Sequence, residues 1–291
     1  MTLVQPTAEQ SIHIRKELNE DENSRDKDLE HIKEWLKRQP HLPQFNGKGQ
    51  LERGGIGSNV NPICLSSMFL GLKNICILVH NSTPMPGLTP NGRRVIIMRA
   101  SDLDQVLSAD AATGMKLVLM IGDIRLKEES VGVAGDVYVF DAAIATPQNF
   151  AAHIAKFTPT LIKKFLICVQ EAYPVKLKEI HIINASGIVD TIINLVKPFI
   201  KEKIRNRIVV HADMESLYKS IPKDVLPEEY GGYAGDIKTI NEQWMKKIES
   251  YRDWFKEQET VKADEAKRPG KPKTHDDLFG MEGSFKQLSI D

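Results

Sequence analysis

The chain has no surplus of either charge: 39 Lys and Arg balance 39 Asp and Glu across 291 residues. Whole-molecule attraction to nucleic acid is therefore not expected, and any anionic partner must be met by a local patch. Cysteine is scarce, and Cys64, Cys76 and Cys168 form no CxxC pair. The opening "MTLVQPTAEQSIHIRKELNEDENSRD" is too polar for a signal peptide. The expected setting is the cytoplasm, with reduced thiols. No stretch approaches the ~18–20 uninterrupted apolar residues that span a bilayer, so membranes would be visited only at their surface.

Signatures of catalysis are missing too. There is no GxxxxGK[ST], and the glycines of "GKGQLERGGIG" neither fit GxGxxG nor follow a strand-like run. "GIGSNV" and "MEGSFK" do not match the GxSxG of α/β hydrolases, and the eight histidines offer no HExxH or paired metal spacing. His181 and His211, in or at the end of apolar runs, read as satisfied strand histidines. Asp141, closing another run, reads as a turn or cap carboxylate. Neither an enzyme nor a bound cofactor or metal is expected.

What the sequence does have is apolar pattern. Residues 7–38 read as charged helix, with Leu29, Ile32, Trp35 and Leu36 at helical spacing and Pro40 and Pro43 closing the element. Residues 45–71 are Gly-rich and without sustained period, as in a loop. Four runs then read as strands covered on both faces: "RRVIIMR" (93–99), "DVYVFD" (136–141), "EIHIIN" (179–184) and "RIVVHA" (207–212). Helical segments at about 111–128, 148–157, 160–172 and 187–200 separate them, which implies right-handed crossovers and an α/β fold with a mostly parallel sheet. A last amphipathic helix is expected at 239–258, then a polar surface tail.

The stretch "SGIVDTIINLVKPFI" (186–200) stands out. As a helix it sets Ile188, Val189, Ile192, Ile193, Leu195, Val196, Phe199 and Ile200 on an arc of roughly 160°. Lys197, Lys201, Lys203, Arg205 and Arg207 follow closely, and Lys176 and Lys178 precede the adjoining strand. On a neutral protein such a cluster suits an anionic headgroup, although most charge runs are only solvated surface.

"TPNGRRVIIMRA", "HIAKFTPTLIKKFLICVQEAYPVKLKEIHIIN", "IINLVKPFIKEKIRNRIVVHA" and "IPKDVLPEEYGG" together resemble the CRAL-TRIO lipid-binding domain family, in particular its alpha-tocopherol transfer protein-like branch and that branch's insect members. The resemblance runs from about residue 72 to the end. It implies a helical N-terminal domain at 1–71, a CRAL-TRIO body at 72–235, and a C-terminal helix and tail at 236–291. It also implies an apolar cavity walled by Val118, Gly122, Phe140, Phe165, Cys168, Val169, Ile180, Ile188, Ile192 and Val196. A gate helix would carry Ile188, Val189, Ile192, Ile193, Val196 and Phe199, and phosphoinositide contacts would fall on Lys176, Lys178, Lys203 and Arg207. The implied partners are a small hydrophobic ligand of the tocopherol or retinoid class and an anionic membrane surface. The implied activity is binding and transfer of that ligand; the alternative is a lipid-responsive regulatory or scaffold module. Residues 45–71 depart from the family, showing no counterpart of its leucine- and arginine-rich N-terminal helices. A truncated or altered N-terminal domain is expected, with apolar surface around residues 29–36 left poorly covered.

Overall fold

The computed structural model describes residues 3–21, 23–43, 82–99, 111–129, 132–154, 158–258, 261, 263–272 and 274. The departure expected at 45–71 lies outside these residues.

Two helices open the chain, α1 (Ala8–Leu18) and α2 (Arg25–Lys37). Thr7 starts α1 with a capping box: its hydroxyl accepts from the Gln10 N–H while the Gln10 side chain accepts from the Thr7 N–H. Two of the N–H groups that a helix start leaves unpaired are thereby satisfied. The body follows as β1 (Thr83–Leu88), β2 (Arg93–Arg99), α3 (Ala111–Glu128), β3 (Gly135–Asp141), α4 (Pro147–Ile154) and α5 (Pro159–Ile167), which runs into a π turn at Cys168–Ala172. It continues with β4 (Leu177–Ile183), α6 (Val189–Val196), α7 (Glu202–Arg205), β5 (Ile208–Val210), α8 (Met214–Tyr218), α9 (Ile237–Ser250) and α10 (Arg252–Gln258).

The sheet order is β1-β2-β3-β4-β5, antiparallel between β1 and β2 and parallel elsewhere. The four apolar runs become β2 to β5, while β1 was not expected because Pro84 and Pro86 remove two ladder donors. Those prolines are tolerated because β1 is an edge strand. Its freed carbonyls meet the buried Arg94 guanidinium, which donates to Met85 O, Pro86 O and Gly87 O at 3.1, 2.6 and 3.1 Å. Arg94 also pairs with Glu129, and Arg125 grips Asp136 through two bonds of 2.7 and 2.8 Å. Two buried cations and two buried carboxylates are thus mutually compensated, which is what keeps charges in a core tolerable.

One face of the sheet carries Val95, Ile97, Val137, Val139 and Ile183, which join Trp244, Ile240, Ile248 and Phe255 in the principal core. Trp244 is fully buried, and its indole N–H donates to Pro84 O at 3.0 Å. The expected single C-terminal helix is broken at Tyr251 into α9 and α10, both docked on this core. Toward the N-terminus, Leu3 enters the same core and Ile14 lies over Gly92. By contrast α2 buries none of its residues, and Trp35 is 49% exposed.

Candidate functional site

The parallel register fixes what the second face of the sheet presents. Ile96, Tyr138, Ile180 and Ile208 lie in one row across it, and Met98, Phe140, Ile182 and Val210 in the next. Ile96 on β2 is buried at 3% exposure while Ile208 on β5 is half-buried, and in the second row Phe140 and Val210 are 38% and 48% exposed on either side of the buried Ile182. Tyr138 and Phe140 stack with centroids 6.2 Å apart. The expectation that every strand is covered on both faces is therefore corrected at this end. An apolar groove opens where β5 forms the edge.

Helix α6 walls the groove. A cavity of about 460 Å³ lies between it and β5, lined by Ile193, Asn194, Lys197, Ile200, Glu202, Arg205, Asn206, Ile208 and Val210. The helix turns its residues in two directions: Val189 is buried, Ile188, Ile192, Ile193 and Val196 are half-buried, and Leu195 is exposed. Beyond Val196 the chain tightens into a 3-10 turn at Lys197–Phe199. Both ends of this segment are tied by side chains. At the start Asn184, in the left-handed region, donates to Asp141 Oδ1 at 2.9 Å, and the Ser186 hydroxyl donates to Ala145 O. Asp141 also accepts from the Ala143 N–H and the Tyr230 hydroxyl, the turn-capping role expected of it. At the far end the Gln170 amide donates to Phe199 O and accepts from the Lys201 N–H, each at 3.0 Å.

The other implied wall residues divide into two places. Phe140 and Ile180 line the open sheet face. Phe165, Cys168 and Val169 pack with Leu119 and Tyr173 in a small separate cluster between α5 and α3. Val118 is half-buried on α3. Gly122 meets the Tyr173 ring, which an added Cβ would approach to 2.7 Å, so Tyr173 occupies the space before it. Cys168 is disulfide-bonded, which corrects the expectation of reduced thiols for that residue; Cys64 and Cys76 lie outside the described residues.

The cations gather at one end of the sheet. Because β4 and β5 are parallel, Lys176, Lys178 and Arg207 sit together at their starts, and Lys203 lies on α7 just before β5. Gly135 permits this crowding: at φ 145° it faces the Lys176 carbonyl and the Lys178 side chain, with no room for a Cβ. Lys178 pairs with Glu17 from the end of α1, and Lys176 donates to the Glu17 carbonyl at 3.0 Å. The Lys178 ammonium, through its hydrogen bond and its charge, holds the Glu17 carboxyl below the usual carboxylate range. The Arg207 guanidinium donates to Leu177 O. Reasoning from sequence did not find Glu17, which lies 161 residues from its partner.

The two strand histidines are satisfied, as expected. Glu179 accepts from His181 Nε2 at 2.9 Å, His181 Nδ1 and His211 Nε2 are 2.8 Å apart, and His211 Nδ1 meets the Ser216 hydroxyl at 2.9 Å. Burial pushes both imidazoles down toward the neutral form, so the chain of bonds holds without charge on either ring. Among the described residues no three His, Cys, Asp or Glu side chains cluster to hold a metal.

Fold and site together describe an α/β protein with an apolar groove beside an amphipathic helix and a cationic rim at one end of the sheet. The CRAL/TRIO domain profile matches residues 78–232, more than half of the chain, and the protein belongs to that family. Alpha-tocopherol transfer protein-like from Mus musculus is 31% identical over 162 residues, 55% of this chain and 45% of its own length. Clavesin-1 from Xenopus laevis is 25% identical over 153 residues, 50% of this chain and 44% of that one. The chain thus spans less than half the length of these curated relatives. The crystal structure of Sfh5 overlaps 58% of this chain and 64% of its own, with a TM-score of 0.40 and 15% identity. No helix among the described residues is long and apolar enough to cross a membrane.

Proposed function

We propose that the protein binds one small hydrophobic molecule of the tocopherol or retinoid class on the open sheet face and transfers it at anionic membranes. The reading requires no bond to be made or broken, so it describes a carrier and not an enzyme, working in the cytoplasm and transiently peripheral to membranes. The observation that carries it is the apolar groove of Tyr138, Phe140, Ile180, Ile208 and Val210, left partly open on a sheet whose opposite face packs the principal core through β2 to β4. Its 460 Å³ cavity falls in the range of about 300–1,000 Å³ usual for small-molecule sites. Membership of a family whose members bind lipophilic ligands supports the reading, as does the likeness to the mouse alpha-tocopherol transfer protein-like relative.

Helix α6 is the movable wall in this proposal, with Ile192, Ile193 and Val196 toward the ligand, and Lys176, Lys178, Lys203 and Arg207 meet a phosphoinositide headgroup. A ligand leaves a carrier only when docking favours the open state over the closed one, and the anionic headgroup supplies that difference. Transfer of a fluorescent tocopherol analogue between vesicles tests it. Replacing Lys203 and Arg207 by Ala should slow delivery to phosphoinositide vesicles about tenfold or more, leave delivery to neutral vesicles unchanged, and spare binding. Equal slowing on both vesicles would refute headgroup docking. Tight binding without any transfer would favour a lipid-responsive scaffold.

A further inference from the structure

Arg205 is unlike the other cations of the rim. It lines the cavity between α6 and β5, and its Nε atom is buried without a hydrogen-bond partner. Among the described residues its guanidinium makes no ion pair or hydrogen bond. A buried donor left unmatched is costly, and native proteins seldom retain one without a use. Lys197 lines the same cavity from the end of the gate segment, and Glu202 is the single carboxylate there. Two cations and one anion leave the lining with one positive charge. Ile193, Ile200, Ile208 and Val210 supply the apolar remainder.

We infer that this cavity takes the head of a carboxylate-bearing amphiphile, with Arg205 as its charged partner and the chain running along Ile208 and Val210 into the open groove. The inference rests on the carrier reading and narrows its ligand class from neutral to acidic lipids. A carboxylate matches the guanidinium fork, which binds its two oxygens at once, and supplies the acceptor that Arg205 Nε lacks. The surplus charge of the lining is cancelled by one monoanionic head. A neutral alcohol of the same chain would bury equal apolar area but leave that one positive charge uncompensated.

Retinol and retinoic acid separate the contributions, because they share a chain and differ in the head. Equilibrium titration of the intact protein at pH 8 should show retinoic acid binding roughly tenfold more tightly than retinol, as a charge-assisted bond in a partly buried site implies. Arg205→Met should abolish that preference with retinol affinity kept, Arg205→Lys should restore part of it, and Glu202→Gln should strengthen acid binding alone. Equal affinity of the wild-type protein for both retinoids, or an acid preference that survives Arg205→Met, would overturn the inference while leaving the carrier reading intact. Failure of the wild-type protein to bind either retinoid or tocopherol would overturn both.

Discussion

The Asp123 carboxyl meets the Tyr173 hydroxyl at 2.7 Å, and that hydroxyl lies 2.6 Å from Leu119 O. A phenol has one proton to give, so both distances are hydrogen bonds at once only when the carboxyl carries its own proton and donates to the tyrosine oxygen. Burial acts in the same direction, pushing the Asp123 pKa up to about 7 against the opposing hydrogen bond from Tyr173. The folded pKa therefore lies above the unfolded one. Between about pH 4 and pH 7 the native state holds a proton that the unfolded chain has lost, so stability falls as pH rises through that window. Asp123→Asn keeps a donor to the Tyr173 oxygen and removes the titration. The variant should match the wild-type stability to urea at pH 5 and exceed it at pH 8, by about 2–3 kcal/mol. The same gain at both pH values would show that the carboxyl does not titrate in the folded protein.

The segment running from α6 through its 3-10 turn is held mainly by polar contacts at its ends, and Gln170 is the most concentrated of these. It sits in the π turn after α5, a local widening that departs from the i→i−4 ladder, and its one amide meets Leu166 O, Phe199 O and the Lys201 N–H. Gln170→Met keeps the volume and removes the contacts to Phe199 and Lys201. Amide exchange across 189–201 should quicken and bound ligand should leave several-fold faster, for a stability loss of about 1 kcal/mol. Unchanged exchange in that segment would place its anchor elsewhere. The apolar half of this region was legible in the sequence: the sweep of Ile188 to Phe199 against Asp190, Thr191 and Asn194 marks an amphipathic helix, and dense β-branched runs mark β2 to β5. The latch was not, because a glutamine carries no pattern and acts across 29 residues. β1 was hidden for the opposite reason, its prolines arguing against a strand that only its edge position and the Arg94 fork allow. The broken C-terminal helix escaped as well, since apolar spacing continues through Tyr251 and Trp254 across the break.

At the scale of the whole molecule, zero net charge hides an uneven distribution. Arg94, Arg125, Glu129 and Asp136 cancel one another inside the body, which leaves the basic end of the sheet to face solvent with few local carboxylates. Glu17 is one of them, and it comes from α1, which docks through Ile14 over Gly92 and through Gln10, whose amide donates to Thr89 O at 3.0 Å. The N-terminal helix thus places a carboxylate where the docking proposal puts a phosphate, and the two anions compete for Lys178. Glu17→Gln removes that competitor while the Lys176 bond to the Glu17 carbonyl remains available. Binding to phosphoinositide vesicles should tighten at ~0.02 M salt and converge with the wild type near ~0.5 M, where charges are screened beyond a few Å. Lys178→Ala should then cost more affinity in the Glu17→Gln background than in the wild type, because only there is the lysine free to meet the headgroup. Equal losses in the two backgrounds would rule out the competition, and no loss in either would mean that Lys178 serves only to seat α1. The docking surface would then reduce to Lys176, Lys203 and Arg207.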